Sequence, residues 1–200
     1  SRQAVSKISR IFNLKKIGHG GTLDPLATGI LPIALGEATK LISFMQSKKK
    51  KYSFTIKWGE ATDTDDIEGM ILKTSNSRPN KKEIQSALQS FIGKIHQIPP
   101  NFSAIKINGE RSYNLARKNI TIDRDPVKIY ISKIDLIDYQ GDEVTFSVTC
   151  SKGTYVRVLG SDIAKKAGTH GYLISLQRIS VGNYEIKDSI SIDNLRKSWK

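Results

Sequence analysis

Apolar positions recur along this chain with two periods, and each period marks a different kind of element. Val5, Ile8 and Phe12 fall at helical spacing within Ala4–Phe12, with Lys7 and Arg10 on the other side, which predicts a short amphipathic helix packed on a sheet. Tyr52, Phe54, Ile56 and Trp58 alternate with Ser53, Thr55 and Lys57, the signature of a half-buried strand. Over Lys81–Ile92 the stripe of Ile84, Ala87, Leu88, Phe91 and Ile92 predicts a second helix, closed by Gly93. Asn108-Gly109 marks a tight turn between Ala104–Ile107 and Arg111–Tyr113, and Gly141-Asp142 separates two β-rich runs, Val127–Ile137 and Val144–Cys150. Tyr155–Lys166 reads as a strand end passing into a helix closed by Ala167-Gly168, and a last short helix starts at Ile192 with Ser191 as its cap. Helices and strands alternate irregularly, so the expected class is α+β with a mixed sheet.

One stretch fits neither period. Between Ile17 and Gly36 there are five glycines and two prolines among small and apolar residues, a composition that predicts a buried, tightly turning loop. Loops of that kind are disproportionately functional.

Composition narrows the function. The 200 residues are enough for one sizeable core, and a single catalytic domain over 1–200 is the expectation. The 32 basic residues against 19 acidic ones leave a net charge of +13, which costs self-repulsion and is best explained by a polyanionic partner. The basic residues divide evenly between the two halves, so the charge belongs to the whole domain and not to a tail. Nucleic acid leads as partner, with an anionic membrane surface second. A single cysteine, Cys150, excludes an internal disulfide and a multi-cysteine zinc site, and fits a cytoplasmic protein. No apolar run approaches the length of a membrane span and no signal peptide is visible.

Asp24 is the first candidate for chemistry, because it lies in the glycine-rich loop beside Pro25 with His19 five residues earlier. Taken alone it reads more readily as an Asx-type turn cap than as a catalyst. A phosphate-binding loop is excluded by the lack of a Gly-Lys-Ser/Thr ending, and an aspartyl-phosphate site by the lack of a second carboxylate nearby. The acidic run Glu60, Asp63, Asp65, Asp66, Glu68 fails the calcium-loop spacing, since Gly69 is seventh from Asp63 and Thr74 stands at the twelfth place. A solvated loop, with some pairing to basic side chains, is expected there. Tyr52 follows four lysines, an arrangement that suits gripping a backbone while stacking on a base, and equally suits the core face it shares with Phe54. Tyr155 and Arg157 would point the same way in a strand, and His19 and His170 have no metal-ligand spacing.

The ordered set of segments Gly18-His19-Gly20-Gly21-Thr22-Leu23-Asp24-Pro25-Leu26-Ala27-Thr28-Gly29, Gly36-Glu37-Ala38-Thr39-Lys40, Lys51-Tyr52, Thr62-Asp63-Thr64-Asp65-Asp66, Gln97-Ile98-Pro99-Pro100 with Ser103-Ala104, and Ser151-Lys152-Gly153-Thr154-Tyr155-Val156-Arg157 resembles the TruB family of pseudouridine synthases over nearly the whole chain. The resemblance implies a largely antiparallel central sheet with flanking helices and long loops. It implies isomerisation of uridine to pseudouridine in the T loop of tRNA, at position 55 in tRNA numbering, with no cofactor and no metal. By matching position it makes Asp24 the essential carboxylate and Arg157 its orienting partner. Tyr52 becomes the residue that stacks on the uracil and serves as a base toward C5. His19 becomes the side chain that fills the gap left by the flipped nucleotide, and Lys40, Tyr155 and Leu176 line the pocket.

The family normally begins with a strand carrying Lys-Pro-x-Gly, and bacterial members carry a C-terminal RNA-binding extension, often of the PUA type. Neither is found in these residues, as expected of a catalytic domain within a longer protein. The implied partner is the tRNA T arm, bound by a monomer without an obligatory protein partner. A catalytically silent RNA-binding or tRNA-folding module, and a guide-RNA-dependent relative, are the competing readings.

Overall fold

The structure, a computed structural model, describes residues 1–100, 106–107, 110–111 and 124–198. The chain forms two compact units, one of Ser1–Ser53 with Leu176–Lys200 and the other of Phe54–Ser175. Among the described residues no helix is long and apolar enough to cross a membrane.

The first unit opens with α1 (Arg2–Phe12), whose apolar stripe buries Ile8. Asn13 ends it in the left-handed conformation, φ 50°, and returns its N–H to Ser9 O. Asparagine adopts that conformation more readily than other side chains, which makes it a natural helix stop. The Ile17–Gly36 stretch is more regular than its composition predicts. It contains three short strands, β1 (Ile17–His19), β2 (Ala27–Gly29) and β3 (Ile33–Leu35). β1 and β3 pair antiparallel, and Gly20 N–H to Pro32 O and Gly36 N–H to Lys16 O, both 2.8 Å, extend the ladder. A 3₁₀ helix of two turns, Gly36–Leu41, leads into α2 (Ile42–Ser47).

The second unit holds most of the core. β4 (Lys50–Trp58) alternates as predicted, with Phe54, Ile56 and Trp58 almost fully buried. A two-stranded piece, β5 (Glu60–Thr62) with β6 (Ile71–Thr74), frames the acidic loop. α3 (Lys81–Gln89) starts with a reciprocal cap, in which the Asn80 side chain accepts from Lys82 and Glu83 N–H and the Glu83 carboxylate accepts from Asn80 N–H. It is a turn shorter than the stripe suggests, and Gly93 opens β7 (Gly93–Gln97) instead of ending the helix. β8 (Lys106–Ile107) and β9 (Glu110–Arg111) pair antiparallel. The expected turn at Asn108-Gly109, and the flanking Ser103-Ala104 and Tyr113, lie outside the described residues.

β10 (Val127–Gln140) and β11 (Glu143–Cys150) form the long hairpin expected around Gly141-Asp142. α4 (Val156–Lys166) then buries Leu159, Ile163 and Ala164. β12 (Gly171–Val181) returns to the sheet, followed by β13 (Tyr184–Glu185) and α5 (Ile192–Ser198), where Ser191 Oγ accepts from Asn194 N–H as its predicted cap. At Gly171 a Cβ would stand 2.8 Å from Ile56 and 2.9 Å from both Ala164 and Trp58, so only glycine lets the strand lie this close to its neighbours.

The central sheet has the order β13-β12-β4-β11-β10-β7, with β2 added beside β12. The β7/β10, β10/β11 and β12/β13 pairs are antiparallel and β2/β12 is parallel. This is the α+β class with a mixed, mostly antiparallel sheet.

Candidate active site

Asp24 stands between Thr22 and Ala27, on the stretch that connects β1 to β2. Its backbone carbonyl accepts from Ala27 N–H at 3.0 Å, so the segment turns back at once into β2. The exit of the turn is fastened by the parallel register Ala27–Leu176, Thr28–Gln177 and Gly29–Arg178. Gly29 has φ +99°, and a Cβ there would lie 2.3 Å from Arg178 O, so glycine is required for this approach.

Asp24, Leu23 and Pro25 line a cavity of about 950 Å³ whose walls also include Ile30, Pro32 and Met45. Ser1, Gln3, Asp188 and Ser191 line it as well, so its wall is mixed and carries a second carboxylate, and His19, Lys40, Tyr52 and Leu176 of the same unit are not among the residues that line it.

The other predicted residues of this unit fall into three settings. His19 is half-buried and its Nδ1 accepts from Gly21 N–H at 3.4 Å, which needs a neutral ring. Burial holds its pKa below the usual histidine value, with the positive charge of Arg178 acting in the same direction. Leu176 is buried and opposite Ala27. Lys40 is exposed, and its Nζ lies 2.6 Å from Glu37, whose other oxygen takes Lys16. Tyr52 is half-buried on the β4 face that continues into Phe54, Ile56 and Trp58. Of the four lysines before it, Lys50 is buried and donates to Gln46 O and Lys48 O, closing the end of α2; Lys48, Lys49 and Lys51 are exposed.

In the second unit, Tyr155 precedes α4, with its N–H donating to Gln97 Oε1 at 2.8 Å and its carbonyl accepting from Gln97 Nε2 at 3.0 Å. Arg157 lies in the first turn of α4, not in a strand. Two residues apart on a helix means roughly 200° around the axis, so the parity argument that aligned Arg157 with Tyr155 does not hold. Arg157 Nη1 donates to Thr64 O at 3.0 Å and to Asp66 Oδ2 at 3.2 Å. The two side chains of this ion pair are 6% and 4% exposed.

That pair is the pairing to a basic side chain expected of the acidic loop, and its burial revises only the expectation that the loop is solvated. Asp66 Oδ1 also accepts from Thr64 Oγ1 and Glu68 N–H, and its neighbours bond β12 through Ile67 N–H to Leu173 O and Leu173 N–H to Asp65 O. Removing one member of such a buried pair costs about 3–5 kcal/mol, because the other is left charged and unpaired. Burial raises the Asp65 pKa, against the hydrogen bond from Ser161 and the charges of Lys165 and Arg157. Among the described residues no group of three His, Cys, Asp or Glu side chains is placed to hold a metal ion.

Two residues of this architecture were not singled out from the sequence. Asp66 looked like one more surface acid. Arg178 is 1% exposed and its guanidinium is spent on backbone carbonyls of the Asp24 loop. Its signal was available in strand parity, since Arg178 follows Leu176 by two on β12 and so shares its inward face.

Comparison with known proteins places this loop in context. Residues 9–156 match the TruB family pseudouridylate synthase N-terminal domain. The chain belongs to the TruB family. It is 44% identical over 200 residues to tRNA pseudouridine synthase B of Brucella anthropi, covering 100% of this chain and 62% of that protein. It is 48% identical over 196 residues to tRNA pseudouridine synthase B of Caulobacter vibrioides, covering 98% and 63% respectively. This TruB-family chain thus spans about 60% of the length of the curated relatives it matches. Its fold is also that of a chain in the crystal structure of a Cbf5-Nop10-Gar1 complex, with TM-score 0.76 and 26% identity over 98% of this chain and 50% of the other. The fold class inferred from the sequence is therefore that of its family.

Proposed function

We propose that this chain is the catalytic part of a tRNA pseudouridine synthase that converts uridine 55 in the T loop, with Asp24 as its essential carboxylate. The observation that carries the reading is Asp24 itself, held on a glycine-rich turn fastened at both ends, by Arg178 to Gly21 and Thr22 before it and by the Ala27–Leu176 register after it. Sequence likeness supports the activity, since relatives at 44–48% identity are tRNA pseudouridine synthases B.

In the proposed reaction the N1–C1′ bond breaks, the uracil turns, C5 bonds to C1′, the C5 proton leaves and N1 takes up a proton in its place. The reaction is an isomerisation, so no electrons or groups are exchanged with a co-substrate. An ionised Asp24 serves either by adding to the nucleotide or by stabilising positive charge on the sugar. By matching position Arg157 is the partner that orients that carboxylate, and within its own unit it is held by Asp66 and Thr64. Tyr52 stacks on the base and takes the C5 proton; its half-exposed place at the end of a core-facing row gives a ring backed by a rigid strand. A neutral His19 occupies the space of the extruded nucleotide, and Lys40, Tyr155 and Leu176 line the approach. The base has to leave its stack to react, at a cost of a few kcal/mol that stacking on aromatic side chains offsets.

The partner is tRNA, bound by a cytoplasmic monomer without a guide. Higher identity to the stand-alone tRNA enzymes than to the Cbf5-Nop10-Gar1 chain supports the unguided form. The test is pseudouridine formation on a naked T-arm stem-loop. Wild-type protein should form product without added guide, and Asp24→Ala should form none while still binding the RNA. Product from Asp24→Ala, or a strict need for guide RNA, would refute the reading.

A further inference from the structure

Arg178 combines two properties that do not normally coincide: it is among the most deeply buried side chains, at 1% exposure, and the partners of its guanidinium among the described residues are all backbone carbonyls. Nε donates to Ile30 O at 2.9 Å, Nη1 to Thr22 O at 3.3 Å and Nη2 to Gly21 O at 3.1 Å. Burying a guanidinium is costly, and carbonyl oxygens return only partial charge, so the arrangement is a demanding way to gain stability alone. What it supplies is geometry. The guanidinium is planar and its donors form a rigid fork, so three bonds from one group set the relative positions of their acceptors.

Those acceptors are the two ends of the Asp24 loop. Gly21 and Thr22 lead into it, and Ile30 leaves it. The backbone of the same residue closes the circuit: Ile30 N–H donates to Arg178 O at 3.0 Å, and Gly29 packs on it so closely that no side chain fits. Arg178 thus touches both stems of the loop, through its guanidinium and through its own backbone.

We infer that Arg178 is a positioning residue for the reaction, fixing the orientation of the Asp24 carboxylate by clamping the stems of its loop. The inference rests on the assignment of Asp24 as the reactive group. It differs from the part proposed for Arg157, which acts on the carboxylate, whereas Arg178 acts on the backbone that carries it. A shift of about 1 Å in a reacting group costs roughly 100-fold in rate, so a loosened loop should be visible in turnover before it is visible in binding.

The experiment compares wild type, Arg178→Met, Arg178→Lys and Asp24→Ala in the full chain on a T-arm stem-loop RNA, at a temperature well below each Tm. For Arg178→Met, kcat should fall about 100-fold while KM for the RNA stays within about threefold. Lysine keeps the charge but not the planar fork, so Arg178→Lys should recover only part of the loss. If Arg178→Met does not fold, Arg178→Lys alone decides. Wild-type kcat in a folded Arg178 variant, with only Tm lowered, would show a purely structural role and overturn the inference, as would a loss carried wholly by KM. Activity in Asp24→Ala would instead overturn the site assignment itself, so the two failures are distinguishable.

Discussion

Asp65 shows how a single side chain in this protein carries a cost that its neighbours only partly remove. It occupies the left-handed region at φ 60°, half-buried beside the Asp66–Arg157 pair, and burial raises its pKa above the ordinary value of 3.8 against the opposing effects of Ser161, Lys165 and Arg157. Below that ordinary value the group is protonated in folded and unfolded protein alike. As pH climbs from there through the raised folded value, the unfolded chain ionises first, so the folded state loses stability that it does not regain at neutral pH. Asparagine is uncharged, nearly isosteric and tolerant of positive φ. Asp65→Asn should therefore be more stable than wild type at pH 7, with the advantage vanishing near pH 3.5. Urea midpoints at the two pH values measure this, and an equal shift at both would show that charge is not the cause. None of this was legible in the acidic run itself. Asp63, Asp65 and Asp66 read alike in one dimension, and what separates Asp66 from a surface acid is an arginine 91 positions away in the chain.

Elements whose partners are near in sequence, or whose burial follows one period, were legible. β4, the β10/β11 hairpin, α3 and the Ser191-capped α5 follow directly from alternation, a Gly-Asp turn, an apolar stripe and a cap residue. The short strands inside Ile17–Gly36 were not, because β2 exists only through its pairing with β12, with Thr28 set beside residues 148 positions away. No local composition reports such a partner, and glycine and proline argue locally for a loop. The helix expected toward Lys166 starts as early as Val156, so Arg157 lies within it, where the alignment with Tyr155 that a strand would give does not apply. The start of α3 offers a test of the local logic. Asn80 accepts from two N–H groups of the first turn, so Asn80→Ala should lower stability by about 1 kcal/mol. Asn80→Gly should lose less, and an alanine variant as stable as wild type would show that packing of Ile84 and Leu88 alone holds the helix start.

The molecule as a whole carries +13, an excess that no ion pair within it can neutralise. The exposed pairs, such as Lys40–Glu37 and Arg78–Asp142, are surface contacts of small value, while Lys48, Lys49 and Lys51 stay on the surface next to the strand that carries Tyr52. On the proposed function this field is the means by which the RNA is gathered, whereas Asp24 contributes chemistry after the RNA has docked. The two roles separate under salt. Each phosphate contact releases condensed counterions, so affinity for a T-arm RNA should fall by roughly 10³-fold or more between 50 and 200 mM salt if about six phosphates are engaged. Asp24→Ala should shift the whole line little and leave its slope unchanged, because a carboxylate replaces no counterion of the phosphate backbone. Replacing Lys48 and Lys49 together by glutamine should flatten the slope by about one to two contacts. A salt-independent Kd would instead mean that the RNA is held by stacking and shape, and that the net charge of this domain serves something other than its substrate.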